Sequence, residues 1–258
     1  MLNAENYYDL KKEYLSVSQY KDFMGSYGTL GCEARAMATV NGEWEEVPST
    51  AMLVGSYVDA WFSGELEQFK SEHPECFKKD GSLKAEFVKA EKIIERASAD
   101  ELFMSFMSGE KQTIMTGEIF GSPFKIKMDS YIPDKAIVDL KVMTSISEPK
   151  WVRDTGYMDF VRYWGYDIQG AVYQEIVRQN TGKTLPFFIA AVSKESEPDI
   201  QIIHVADRYL EEAMDGLRPN VPYVQAIKDG GIPLRCERCD YCKRTRVLTK
   251  AIELEDLL

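Results

Sequence analysis

Three short runs rich in strand formers, 114–119, 124–131 and 136–142, follow one another in the middle of the chain. Gly121-Ser122-Pro123 and Pro133-Asp134 separate them, and both are turn sequences. Strands joined this tightly form a meander, which must bury one face against something else. The surrounding sequence supplies the cover. Apolar residues recur at helical spacing in 15–24, 32–40, 51–62, 83–102, 166–179, 208–217 and 223–228. Ser16 and Ser18 stand at the first of these as capping residues, and the glycine-rich 25–31 reads as a loop. Residues 187–192 and 200–205 read as further strands. Helices, meander, helix and strand in this order predict an α/β fold with a mixed β-sheet flanked by helices.

No linker or internal repeat interrupts the 258 residues, so a single domain is expected over 1–258. A composition of 45% hydrophobic and 28% charged residues excludes a disordered chain. No apolar run reaches the roughly 18 residues of a membrane span, and residues 1–12 are too polar for a signal peptide. The expected location is cytoplasmic, with no membrane partner. The net charge of −11 argues against a nonspecific nucleic-acid coat. It is unevenly spread, because 235–250 holds Arg235, Arg238, Lys243, Arg244, Arg246 and Lys250 against Glu237 and Asp240. That is either a basic patch on an acidic body or a solvated C-terminal helix.

Strand alternation sorts the polar residues of the meander. Phe124, Ile126 and Met128 share one face, and Lys125, Lys127 and Asp129 share the other. Asp139 and Lys141 point one way, while Val138, Leu140 and Val142 point the opposite way. The turn at Pro133-Asp134 brings Asp129 and Asp139 side by side, with Lys141 about 6.6 Å beyond Asp139. Two adjacent carboxylates repel unless a cation lies between them, and hard oxygen ligands suit Mg²⁺ or Mn²⁺. A neighbouring lysine can orient a water or stabilise developing negative charge, as metal-assisted phosphodiester hydrolysis requires. The same three residues could instead form a salt-bridge ladder on a solvated sheet face.

The late cysteines form Cys236-x₂-Cys239-x₂-Cys242. Iron–sulfur proteins use such a run with a fourth cysteine from elsewhere, whereas zinc sites more often use two separated pairs; surface thiols holding no metal are the third reading. The missing ligand must be Cys32 or Cys76. With only two histidines and no phosphate-binding glycine loop, a histidine-based site and an ATP motor are both disfavoured.

Asp129 followed by Asp139-Leu140-Lys141 resembles the D…(D/E)xK signature of the PD-(D/E)xK nucleases, which have a restriction-endonuclease-like core. Gln169-Gly170-Ala171-Val172-Tyr173 resembles the QxxxY motif of RecB-type members, with Gln169 and Tyr173 on one helix face. Residues 53–59 resemble the helix where RecB- and RecE-type enzymes place Gly-x-x-x-His, but Asp59 stands in the histidine position. Cys32-Glu33-Ala34-Arg35 resembles the early cysteine of AddB-type and CRISPR-associated Fe–S nucleases, which favours Cys32 as the fourth ligand.

The resemblance implies a phage- or prophage-type, RecE-like exonuclease that cuts DNA from an end to make single strands for homologous recombination. Its implied partners are DNA and a single-strand annealing protein. Its implied metal ligands are Asp59, Asp129, Asp139 and the Leu140 carbonyl, holding Mg²⁺ or Mn²⁺. Lys141, Gln169 and Tyr173 would complete the catalytic set, with Glu118 in support. Cys32, Cys236, Cys239 and Cys242 would hold a 4Fe–4S cluster, or zinc, joining segments 15–40 and 232–250. The aromatic run Trp151, Tyr157, Phe160, Tyr163, Trp164 and Tyr166 is expected to be mostly core, with Tyr166 and Tyr173 nearest the substrate. Other readings are a degenerate DNA-binding accessory module and a CRISPR-associated RecB-like nuclease.

Overall fold

The computed structural model describes residues 2–3 and 6–257. Helices α1 (Val17–Met24), α2 (Glu33–Asn41), α3 (Thr50–Ser63), α4 (Leu66–Glu72), α5 (Ala85–Ser98) and α6 (Glu101–Phe106) come first. Strands β1 (Thr113–Ile119), β2 (Ser122–Met128), β3 (Ser130–Ile132), β4 (Ala136–Met143), β5 (Lys150–Val152) and β6 (Gly156–Met158) follow. After α7 (Phe160–Tyr163) and α8 (Tyr166–Thr181) come β7 (Phe187–Ser193), β8 (Ile200–Val205), α9 (Asp207–Lys228) and α10 (Asp240–Arg244). No helix among the described residues is long and apolar enough to cross a membrane.

The local reasons are legible at the helix ends. The Ser16 hydroxyl accepts from the Gln19 amide and starts α1. The Asp100 carboxylate does the same for Phe103, so the predicted helix over 83–102 stops and restarts there as α5 and α6. The two helices predicted over 208–217 and 223–228 are one. α9 runs through Pro219 and Pro222, held by a buried stripe of Leu210, Leu217, Val221, Val224 and Ile227. Burial of that stripe outweighs the amides that the two prolines remove.

The four-stranded sheet has the order β3-β4-β7-β8. β4 and β7 pair in parallel, and β3 and β8 flank them antiparallel. Val138 and Leu140 of β4 and Ile189 to Val192 of β7 are buried, as expected for central strands covered on both faces. One face packs on α1, α8 and α9 through residues such as Ile137, Val172, Ile176 and Ile189. The other packs on α3 and α5 through Tyr57, Val58, Phe87 and Ile93. The result is a mixed sheet flanked by helices.

The meander differs from expectation at one residue. β1 and β2 form a separate hairpin, and the run 124–131 breaks at Asp129 before β3 begins. Ser130 makes the bend. Its hydroxyl donates to the Phe106 carbonyl at 2.8 Å and accepts from the Gly109 amide at 2.9 Å. Lys125 also departs from the solvated face. It is buried, and its ammonium donates to the carbonyls of Tyr7 and Leu10.

α8 lies close against β7 because Gly170 has no side chain. A Cβ there would meet Phe187 and come within 2.8 Å of a Leu210 methyl. Gly170→Ala should therefore destabilise the fold by about 1–3 kcal/mol, the usual cost of overpacking. Thermal unfolding of the variant measures this.

Candidate active site and cysteine cluster

The β3–β4 register pairs Ser130 with Val138, and one step back along β3 puts Asp129 opposite Asp139. Asp129 Oδ2 accepts from the Leu140 amide at 2.8 Å. Asp139 is only 2% exposed, and its carboxylate is shared. Oδ1 accepts from Gln169 Nε2 at 2.6 Å, and Oδ2 is ion-paired with Lys141 Nζ. Gln169 comes from α8, so helix and sheet meet on one carboxylate. Four residues on, the Tyr173 hydroxyl donates to the Lys127 carbonyl at 3.0 Å. Lys141 Nζ also sits 4.7 Å from the centre of the Tyr166 ring.

These groups open into a cavity of about 720 Å³. Asp59, Asp129, Asp139, Leu140, Lys141, Tyr166, Gln169 and Tyr173 all line it. Asp59 reaches it from α3, whose Ala51, Met52, Gly55 and Ser56 share the same face. The carboxylates are crowded. Burial pushes Asp129 well above the usual carboxylate range, and Asp139 and Asp59 push it further. Burial also raises Asp59; Lys127 opposes the rise and Asp139 adds to it. Burial works against the Lys141 charge, yet Asp139, Tyr166 and Asp129 hold its ammonium above the usual lysine range. Asp59, Asp129 and Asp139 together are a set of hard oxygen donors, which suits Mg²⁺ or Mn²⁺.

Sequence reasoning missed part of the wall. Tyr8, Gln112, Lys150 and Lys194 also line the cavity, as does Lys127. Gln112 has a φ of +50° and a buried Oε1 without a hydrogen-bond partner among the described residues. No spacing pattern links Tyr8, Gln112, Lys150 or Lys194 to the carboxylates, because the fold alone assembles them; strand alternation does put Lys127 on the Asp129 face. Glu118 lies elsewhere. It is exposed near the β1–β2 turn, does not line the cavity, and its backbone bonds Gln179. The aromatic run divides. Phe160 is buried, but Trp151 and Tyr157 are 66% and 73% exposed on the β5–β6 hairpin rather than in the core.

The four predicted cysteines converge. The sulfurs of Cys32, Cys236, Cys239 and Cys242 all lie within 4.8 Å of one another. Cys32–Cys242 is 3.6 Å and Cys236–Cys242 is 3.9 Å. Burial opposes the Cys236 thiolate, but amides of Arg238 and Cys239 donate to its sulfur and bring it down to about 6. Cys76 is buried in another cluster. Glu33 braces the C-terminal segment by accepting from the Leu234 amide and the Tyr223 hydroxyl, each at 2.8 Å. The basic patch is partly neutralised from within. Arg235 and Arg246 both pair with Glu237, and Arg235 also donates to the Cys242 carbonyl.

A family profile described as "PDDEXK-like domain of unknown function (DUF3799)" matches residues 16–245. A crystal structure of a protein from Eubacterium rectale, described as "putative exonuclease", is 60% identical with a TM-score of 0.98. It covers 100% of this chain and 98% of that one. The crystal structure of SSO0001 aligns over 69% of this chain and 81% of its own, at 11% identity and a TM-score of 0.27. That likeness is too distant to carry an argument. A comparison with curated proteins finds no match.

Proposed function

The chain belongs to this PDDEXK-like family, and on that footing we propose that it is a divalent-metal-dependent deoxyribonuclease working on DNA ends. The observation that carries the reading is one buried carboxylate, Asp139, held by Lys141 and Gln169, with Asp129 opposite and Asp59 on the same cavity. The exonuclease description of the Eubacterium rectale relative supports action at ends. In the RecE-like form of this reading, the single strands produced feed homologous recombination together with an annealing protein.

Asp59, Asp129, Asp139 and the Leu140 carbonyl would hold Mg²⁺ or Mn²⁺. The cation would lend Lewis acidity at the scissile phosphate. Lys141, kept protonated by its acidic neighbours, donates to the attacking water or a phosphate oxygen. Gln169 keeps the Asp139 carboxylate turned toward Lys141. Tyr173 fixes the β2 backbone at Lys127, one residue from Met128 and two from Asp129. As water attacks phosphorus the P–O3′ bond breaks; one water proton is released to solvent and O3′ takes one up, so the products carry a 5′ phosphate and a 3′ hydroxyl.

Cation binding has a readout apart from hydrolysis. The folded-state pKa of Asp129 lies above its unfolded value, so the folded state binds more protons and metal-free stability falls as pH rises through that window. A cation replaces the proton. Mg²⁺ should raise the melting temperature at neutral pH in the wild type and much less in Asp129→Asn. Equal shifts in both would remove Asp129 from the ligand set. Linear and closed circular DNA separate the modes of action: end-dependent cleavage leaves the circle intact, and an endonuclease opens it.

The cavity wall gives a further test. Gly55 sits in mid-α3 on the cavity, and a Cβ there meets nothing within 4 Å. Gly55→Leu should slow DNA hydrolysis about tenfold or more by filling substrate space. Its melting temperature should hold or rise, because glycine costs a helix about 1 kcal/mol relative to alanine.

We further propose that 1–258 acts as one nuclease domain whose 15–40 and 232–250 segments are joined by a metal at the four cysteines. The x₂-x₂ run is the spacing iron–sulfur proteins use. Four thiolates about 2.3 Å from one zinc ion lie about 3.8 Å apart; Cys32–Cys242 and Cys236–Cys242 are 3.6 and 3.9 Å, and all four sulfurs lie within 4.8 Å of one another. A four-iron cluster would require the sulfurs to spread. Anaerobic purification with elemental analysis and a visible spectrum distinguishes them: zinc without colour, or iron with absorbance near the visible range.

A further inference from the structure

Tyr8 belongs to no motif, yet it lines the catalytic cavity. The segment that carries it is firmly tied. Lys125 Nζ donates to the Tyr7 and Leu10 carbonyls. Lys228 Nζ donates to the Lys11 and Tyr14 carbonyls at 3.0 and 3.2 Å. The Leu15 amide and carbonyl bond the Pro123 carbonyl and the Lys125 amide, both at 2.8 Å. Tyr7 is buried, with its ring under Lys125 Nζ at 4.7 Å. The next ring turns outward. Tyr8 is 63% exposed, stands edge-on to Tyr7 at 5.2 Å, and its hydroxyl accepts from Lys127 Nζ at 3.0 Å. Lys127 Nζ also lies over this ring, 4.9 Å from its centre, so a fixed and largely exposed aromatic ring stands at a cavity whose Asp129 and Asp139 are shielded.

The surrounding charge says what passes that ring. Lys127, Lys141, Lys150 and Lys194 line the cavity of a chain whose net charge is −11. Lysines gathered around a nuclease site suit a phosphate backbone, and an exposed aromatic face beside that backbone suits a base. Bases inside a duplex have both faces covered; an unpaired base has one to offer. Resting on the nuclease reading above, we propose that Tyr8 is a substrate-contacting platform on which an unpaired base beside the scissile phosphate stacks. The enzyme then takes the strand whose terminal base is unpaired, in a single strand or at a frayed duplex end, in preference to one whose terminal base is held in a pair.

The test uses the full chain with Ca²⁺ in place of Mg²⁺, to allow binding without turnover. The probes are a single strand with terminal 2-aminopurine and the matching blunt duplex. Wild type should quench the single-strand probe and bind it more tightly than the duplex. Tyr8→Ala should lose the quenching and raise the single-strand Kd about tenfold or more, while Tyr8→Phe keeps both. In Mg²⁺, the loss should fall on KM more than on kcat. Wild-type binding and cleavage with Tyr8→Ala unaltered would overturn the proposal and leave the nuclease reading intact. A Tyr8→Phe defect as large as that of Tyr8→Ala would assign the effect to the Lys127 hydrogen bond and overturn stacking. A wild type that neither binds nor cleaves DNA would remove both.

Discussion

Lys141→Met should reduce DNA hydrolysis by about a hundred- to ten-thousand-fold, the range lost when a positioned proton donor is removed. The substitution keeps the length and the apolar stem of the side chain and deletes only the ammonium. What remains is Asp139, 2% exposed, without its ion pair and with Gln169 as its sole side-chain hydrogen-bond partner among the described residues. Breaking a buried pair by removing one partner usually costs about 3–5 kcal/mol. A divalent cation should recover part of that cost, because it supplies the charge that the lysine no longer does. The variant therefore carries two linked signatures: a chemical defect that saturating DNA does not repair, and a melting temperature that Mg²⁺ raises more than it does in the wild type. Single-turnover hydrolysis and thermal unfolding with and without Mg²⁺ measure them. A rate within twofold of wild type would remove Lys141 from the chemistry.

Cys239→Ser should act in the opposite sense, on stability rather than on the reaction. The cluster joins Cys32 to a segment about 200 residues later, and a cross-link closing a loop of that size contributes up to about 5 kcal/mol. At roughly 2–4 °C per kcal/mol for a chain of this size, the melting temperature should fall by up to about 10–20 °C. Metal content should fall with it. Well below the new midpoint, DNA hydrolysis should persist, because no cysteine of the cluster lines the catalytic cavity. Unchanged metal content and an unchanged melting temperature would show that the four sulfurs carry no structural metal.

The sequence was most informative where a physical period was strict. Alternation along β4 separated Asp139 and Lys141 from Val138 and Leu140; the structure puts the former pair on the cavity and packs the latter in the α3–α5 core, although Leu140 also lines the cavity. Helical spacing brought Gln169 and Tyr173 to one face of α8 for the same reason. The period failed at Asp129, where side-chain bonds from Ser130 to Gly109 and Phe106 bend the strand. It failed again at Pro219 and Pro222, where tertiary burial carries a helix through residues that disfavour one. Trp151 and Tyr157 were hidden by composition, since an aromatic pair reads as core until its exposure is known. Tyr8, Lys150 and Lys194 could not be placed at all. They belong to no spacing pattern of the motif, and they meet it because the N-terminal segment, the β5–β6 hairpin and the end of β7 surround one cavity.

Two neighbouring strands and one helix would present acids and an amine to a divalent cation for cutting DNA. The most direct measurement is digestion of an end-labelled linear DNA by the wild type and by Asp139→Asn, each in Mg²⁺ and in EDTA. The wild type should cleave in Mg²⁺ alone, with 5′-phosphate products, and the variant in neither condition. Cleavage that persists in EDTA, or that survives Asp139→Asn at the wild-type rate, would contradict this chemistry.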